Sequence, residues 1–192
     1  MKPEKKPFIL CSIDPGLEGA LAIFKGGSLQ LVEKMPVIKV KKSGKTLKGN
    51  PKTKTLLDEQ AIRSFLMEHS PSLLVIEAAQ TMPPSKNGRT QGVVSSGTTM
   101  ENYGLLRGIC VGLGIPYIPV NPRTWKAVML KGAGISASDK AASVIRAGQI
   151  AALPIGQDHN KADAILIGYY GMKEYGDLFV REKSGKTRKA AA

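Results

Sequence analysis

Asp14 ends a compact apolar run, Phe8 to Ile13, and stands directly before Pro15-Gly16. A carboxylate at the carboxyl end of a buried strand lies where open α/β sheets form their ligand crevices. Asp-Pro-Gly is also ordinary turn chemistry, so by itself Asp14 is open to both readings. Glu77 repeats the arrangement at the end of Ser72 to Ile76, with Ala78 and Ala79 behind it. Desolvating such a charge is costly unless a partner or a cation offsets it, the alternative being an exposed strand end. A third acidic group opens an apolar segment near the C-terminus: Asp158-His159-Asn160-Lys161-Ala162-Asp163. His159 and Asp163 are four residues apart and share one helix face. Asp158 either caps that helix or joins the site. Asp163 has core-like neighbours in Ala162, Ala164, Ile165 and Leu166, and a solvated surface position does not account for it.

Three separated carboxylates make an all-oxygen site suited to hard cations, Mg2+ with Mn2+ as a substitute. Two such ions, ~3.5–4 Å apart, stabilise the attacking and leaving oxygens of a phosphodiester displacement. With two Cys and two His in the whole chain, a zinc site is poorly supplied. The expected reaction is metal-assisted phosphodiester hydrolysis, with Asp14 shared between two ions and Glu77 and Asp163 completing the shell. His159 either positions water and shuttles a proton, as imidazoles near neutrality do, or is a cap or surface residue. Lys126, Lys131 and Lys140 either neutralise substrate phosphates or are ordinary solvated lysines. Trp125 is expected in the core.

The elements that must position these groups follow from periodicity. Phe8 to Ile13, Gly19 to Phe24 and Leu29 to Lys34 read as three sequential strands, a meander. Lys39 to Lys54 contains seven lysines and no acid, and reads as a flexible or hairpin-like basic insertion, spanning about 37–54. Lys41, Lys42 and Lys45 within it are candidate DNA contacts, the alternative being a merely solvated loop. Asp58 starts a helix with Ile62, Phe65 and Leu66 on one face, and the strand to Ile76 follows. Thr81 to Gly97 reads as an irregular connection carrying Lys86 and Arg89 as further DNA candidates. Helix is expected from Thr98 to Leu113, stopped by Gly114, then strand from Pro116 to Val120. Pro122 opens a short helix holding Trp125 and Lys126. Ser138 to Gln149, capped by Ser138, and His159 to Tyr175 complete the helices. The sum is an α/β domain over residues 1–180, a mixed sheet with helices on both faces, followed by a basic, disordered tail over 181–192.

Lys and Arg number 28 against 15 Asp and Glu, a formal charge of +13 on 192 residues. A field that large calls for a polyanionic partner, and without a Lys-rich amphipathic helix nucleic acid leads over a membrane surface. Cys11 and Cys110 read as buried free thiols. No signal-peptide core or membrane span is present in the sequence, so the expected place is the cytoplasm of a bacterial or phage-infected cell, or an organelle nucleoid.

Taken together, Ser12-Ile13-Asp14-Pro15-Gly16 with Gly19-Ala20, Val75-Ile76-Glu77 and Ala162-Asp163-Ala164 resemble, in order and spacing, the acidic motifs of RuvC-type Holliday-junction resolvases. Tyr103-Gly104-Leu105-Leu106, Gly114-Ile115-Pro116, Pro122, Trp125-Lys126 and Asp139-Lys140 are similar to that family's central segments, so the likeness runs from about residue 8 to 171. It implies an RNase H-like fold with a mixed five-stranded sheet, a homodimer, and magnesium-dependent nicking of four-way DNA junctions. It also implies that Asp14, Glu77 and Asp163 are the metal ligands and that Lys126 and Lys140 contact phosphates. Family members carry an acid or histidine three residues before the last aspartate, where this chain has Asn160, so His159 or Asp158 must serve. Gln80 stands where some members place a base-stacking aromatic, which leaves Tyr103 as the candidate or no stacking at all. A broader branched-DNA or RNA–DNA hybrid nuclease and a non-catalytic junction-binding protein are the competing readings. An actin-like phosphotransferase needs two lobes and a longer chain.

Overall fold

The fold was analysed in a computed structural model, which describes residues 7–45, 49–80, 93–131, 140–151 and 155–181. Strand β1 (Ile9–Asp14) is the organising element. It pairs antiparallel with β2 (Ala20–Lys25), which pairs antiparallel with β3 (Ser28–Lys34), as the expected meander requires. On its other edge β1 pairs parallel with β6 (Leu73–Glu77), which pairs parallel with β7 (Tyr117–Val120). The five-stranded mixed sheet therefore runs β3-β2-β1-β6-β7.

Strand alternation sorts the core into two halves. Leu10, Ala20, Ala22, Phe24, Leu73 and Val75 face one side, packed with Trp125, Met129, Ala142, Ala147 and the Ala162–Ile167 stretch. These helical residues belong to α3 (Pro122–Met129), α4 (Lys140–Ile150) and α5 (His159–Arg181). Cys11, Ile13, Leu21, Ile23, Leu74 and Ile76 face the other side, against Ile62, Phe65 and Leu66 of α1 (Glu59–His69) and Tyr103, Leu106 and Cys110 of α2 (Val93–Gly112). Both thiols are free and buried, as expected. Among the described residues no helix is long and apolar enough to cross a membrane.

Two helix boundaries differ from the sequence reading, and the basic insertion takes the hairpin-like of its two expected forms. Helix α2 begins at Val93, so 93–97 is helical rather than part of an irregular connection. Low-propensity Ser95, Ser96 and Gly97 hid that turn, within which Thr99 donates its hydroxyl to the Ser95 carbonyl at 3.0 Å. Helix α5 continues past Tyr175 to Arg181. The basic insertion is a regular hairpin, β4 (Val37–Lys45) with β5 (Pro51–Leu57), forming its own two-stranded sheet. Its apolar base closes it: Val37 pairs with Leu57 and Ile38 with Leu56, and Leu57 is buried. The expected cap Ser138 and the tail over 182–192 lie outside the described residues.

Helix α5 lies unusually close to the sheet because Gly168 faces Phe24. A Cβ built at Gly168 would overlap the Phe24 ring. Phe24 is itself wedged edge-on against Tyr169, ring centroids 5.1 Å apart, so the ring has little room to retreat. Overpacking at such a contact costs about 1–3 kcal/mol. Gly168→Ala is therefore expected to lower the urea midpoint by a corresponding amount; an unchanged midpoint would show that α5 can lift without loss.

Candidate active site

Parity along β1 and β6 decides where the acids point. Asp14 shares its strand face with Leu10 and Ser12, and Glu77 shares its face with Leu73 and Val75, so both belong to the side covered by α3 and α5. The parallel register pairs Ser12 with Val75 and Ile13 with Ile76, which sets Asp14 and Glu77 at the same level at the carboxyl ends of neighbouring strands. Asp163, in the first turns of α5, supplies the third carboxylate. Its position is fixed through Ser12, whose hydroxyl donates to the carbonyl of Ala164 at 2.6 Å across the core. A buried polar residue two positions before Asp14 was a visible signal for this contact, and the sequence reading missed it.

The loop after Asp14 is drawn tight. Gly19 N–H donates to the Gly16 carbonyl at 2.9 Å, and a Cβ on Gly19 would overlap the carbonyl of Asp14. Gly19 in turn accepts from Met35 N–H at 2.8 Å, which ties the root of the basic hairpin to the same edge of the sheet. A cleft lined by Leu17, Lys34, Met35, Val37, Asp158 and His159 runs beside this junction.

The carboxylates perturb one another. Asp14 is pushed up to about 7, by burial first and then by Glu77 and Asp163, against the opposing backbone N–H of Gly16 and the Lys126 ammonium. Glu77 is raised by burial, opposed by the Trp125 indole and by Lys126. Asp163 is raised by burial too, opposed by a hydrogen bond from Ser143, by Lys126 and by His159. Two residues of α3 restrain the cluster directly: Trp125 Nε1 donates to Glu77 Oε2 at 2.7 Å, and Lys126 Nζ lies 3.8 Å from Asp163 Oδ2. Trp125 is fully buried, as the sequence reading expected, and its hydrogen-bonding role was not foreseen.

Among the described residues no three acids, histidines or cysteines stand close enough together, as placed, to hold a metal ion. The donor set nonetheless fits a hard divalent cation. It is all oxygen, it is strongly self-repelling, and Asp163 Oδ1 is buried with no hydrogen-bond partner among the described residues. A buried acceptor without a donor is a group that a cation can satisfy.

The remaining candidates divide by position. Asp158 is committed to structure: its Oδ1 accepts from Asn160 N–H at 3.1 Å and Lys161 N–H at 3.3 Å as the cap of α5, and Lys34 Nζ is 3.3 Å from its Oδ2. Burial raises this carboxyl, but the Lys161 amide, Lys34 and the Asn160 amide outweigh it and leave Asp158 below the usual range. His159 sits one turn before Asp163 on the same helix and lines the cleft. Tyr103 corrects an expectation. It is 8 % exposed within the α1–α2 core and Arg107 stacks over its ring 5.3 Å from the centroid, so it offers no free face for a base. Lys41, Lys42 and Lys45 are exposed on β4, and Lys131 is exposed just after α3. Lys86, Arg89 and the side chain of Lys140 lie outside the described residues.

No family model matches the chain, and no curated protein matches its sequence. The structure is similar to Thermus thermophilus RuvC in complex with a Holliday junction substrate, with a TM-score of 0.54 and 12 % identity over 89 % of this chain and 96 % of that one. A second T. thermophilus RuvC structure aligns with a TM-score of 0.49 and 15 % identity over 90 % and 97 %. The first of these, with the sheet order and the helices on both faces, establishes the RNase H-like α/β fold.

The raised Asp14 makes stability fall with pH. An unfolded Asp14 ionises near its ordinary value of 3.8 while the folded one holds its proton up to about 7, so between these limits the folded state binds more protons. Stability is therefore lost as pH rises through that window and is flat above it. Asp14→Asn removes the penalty. In EDTA the variant is expected to exceed the parent by on the order of a few kcal/mol at pH 8 and by little at pH 4, measured by urea denaturation. A difference independent of pH would contradict the buried, repelled carboxyl.

Proposed function

We propose that this chain is a metal-dependent endonuclease that cuts branched DNA, preferring four-way junctions, and that it works as a homodimer with Mg2+, or Mn2+ in its place, two ions per site. The observation that carries the reading is that Asp14, Glu77 and Asp163, from β1, β6 and α5, lie near enough for Glu77 and Asp163 to raise Asp14, with Asp163 Oδ1 buried and without a hydrogen-bond partner among the described residues, beside Lys126. A binding module has no use for three repelling carboxylates where phosphate must approach. The shared fold supports the substrate class, since the similar RuvC structure is a complex with a Holliday junction substrate.

In this reading Asp14, Glu77 and Asp163 hold the cations, which when bound stabilise charge on the attacking and leaving oxygens of the phosphodiester. Lys126 neutralises the phosphate delivered to the cluster. His159 orients water or carries a proton, because Asp158 is tied up in capping α5 and in its pair with Lys34. The hairpin, rooted beside Asp14 through Met35 and Gly19, extends Lys41, Lys42 and Lys45 towards a DNA arm, with Lys131 adding charge after α3. Lys86, Arg89 and Lys140 are further phosphate contacts in this proposal. The outer face of α2, where Met100 and Val111 are 46 % and 68 % exposed, offers apolar surface for a second copy.

The direct test is cleavage of a four-way junction, a flap, a plain duplex and an RNA–DNA hybrid, with and without Mg2+. Preference for the junction in Mg2+ alone is expected; equal cutting of all four would reject junction selectivity. Asp14→Asn should lower the cleavage rate by roughly two orders of magnitude or more while junction binding in gel shifts persists. A variant that nicks at the parental rate would remove Asp14 from the mechanism. Replacing Lys41, Lys42 and Lys45 together with Ala should weaken binding and reduce the slope of log K against log salt by up to about 3, with the rate at saturating junction unchanged. An unaltered slope would mean that the hairpin does not touch DNA.

A further inference from the structure

Glu77 is held at its backbone from the β7 side, just past the end of the β1 ladder. Strand β6 pairs with β1 up to Ile76, Glu77 itself pairs with Val120, and Ala78 N–H donates to the Val120 carbonyl at 2.8 Å, extending the ladder past the acid. What remains free is the side chain, which faces Asp14 and Asp163. Repulsion from those carboxylates would turn it outwards unless something holds it in.

That restraint comes from α3, which leaves β7 with almost no slack. Asn121 caps the helix by accepting from Arg123 N–H at 2.9 Å, and Pro122 occupies the first turn. A single residue, Asn121, therefore separates the helix from the strand that pairs with Glu77. Trp125 follows within its first turn and is fully buried among residues of the α5 side of the core. Its rotamer is locked by that packing, so its N–H is aimed rather than searching. A buried indole needs an acceptor of some kind, and a backbone carbonyl would satisfy it. Here the acceptor is a carboxylate of the candidate metal cluster, at the 2.7 Å of a charge-assisted bond.

We propose that Trp125 is a positioning residue for the metal centre, holding Glu77 by one carboxylate oxygen so that the side chain stays turned towards Asp14 and Asp163. This rests on the assignment of Glu77 as a metal ligand. It goes beyond that assignment in giving α3 a defined part: Trp125 restrains Glu77 while its neighbour Lys126, 5.1 Å from the indole centroid, pairs with Asp163. Binding of a cation at Glu77 then changes the electrostatic surroundings of the indole. Trp125 is the single tryptophan of the chain, so its emission reports that event without a label.

The experiment uses the full-length protein, Mg2+ alone as the probe, and calorimetry in parallel with fluorescence. Titration of the parent is expected to give a saturable change in emission whose midpoint matches the calorimetric Kd, and Asp14→Asn should abolish both signals. Trp125→Phe keeps most of the ring volume and removes the N–H. Its Mg2+ affinity should fall roughly tenfold or more, as losses of outer partners of metal ligands do, with kcat lowered and KM for the junction unchanged. Calorimetric Mg2+ binding without any emission change, or a folded Trp125→Phe with parental Mg2+ affinity, would overturn the positioning role and leave the nuclease reading intact. Absence of any Mg2+ binding by the parent would overturn both. Should Trp125→Phe fail to fold, the emission titration of the parent decides the matter.

Discussion

Three carboxylates brought below the surface at one edge of a sheet repel each other, and much of this structure can be read as the means of keeping them there. The sheet contributes two by parallel register, since β1 and β6 end level with one another. Helix α5 contributes the third and is clamped to β1 by the Ser12 hydroxyl, which ties the turn carrying Asp163 to the strand carrying Asp14. Repulsion is only partly relieved, by the Trp125 indole, the Lys126 ammonium and the Ser143 hydroxyl. A raised Asp14 and an orphaned Asp163 oxygen are what is left over. Strain of this kind is stored by a rigid scaffold when a ligand is to relieve it.

The rigidity has a geometric origin. Gly168 lets α5 sink onto Phe24, and the Gly16–Gly19 turn folds back against the carbonyl of Asp14, so neither the helix nor the loop can drift away from the acid. On the same face as α5, α3 starts just after β7 with a Pro in its first turn, which leaves Trp125 and Lys126 little freedom. The acids are thus placed by partners distant in sequence: the strand of Asp14 is tied to the helix of Asp163 through Ser12 and Ala164, and Glu77 is held by Trp125.

That separation explains what could be read from the sequence. Strand-end acids after apolar runs, and an acid among alanines at a helix start, are local signals, and Asp14, Glu77 and Asp163 stood out by them. Compact apolar runs also gave β1 and β6 as strands, and periodicity gave the helices that cover them. The contacts that restrain the acids were not legible, because a Trp in an amphipathic helix looks the same whether its N–H meets a carbonyl or a carboxylate. Tyr103 illustrates the converse. Its spacing with Leu106 and Cys110 indicated a helix but not which face is covered, and the structure buries it under Arg107. The start of α2 was hidden because Ser, Ser and Gly favour turns, whereas the hairpin was ambiguous because lysines alternate in solvated strands and coils alike.

The charge distribution follows from the same architecture. Acids gathered at one point of a +13 chain leave the remaining surface even more positive, and the hairpin concentrates part of that excess within reach of the cluster. Its position is not arbitrary: β3 ends at the edge of the sheet where β1 ends, because Lys34 is level with Ala20 and Ala20 with Asp14. An insertion after β3 must therefore emerge beside the acids, whatever its sequence. In the proposed reading, filling it with lysines and no acid draws a polyanion to the place where its own repulsion with the carboxylates is greatest. Such an approach is productive only if cations stand between phosphate and carboxylate, so the basic arm and the acidic cluster make physical sense together and neither does alone.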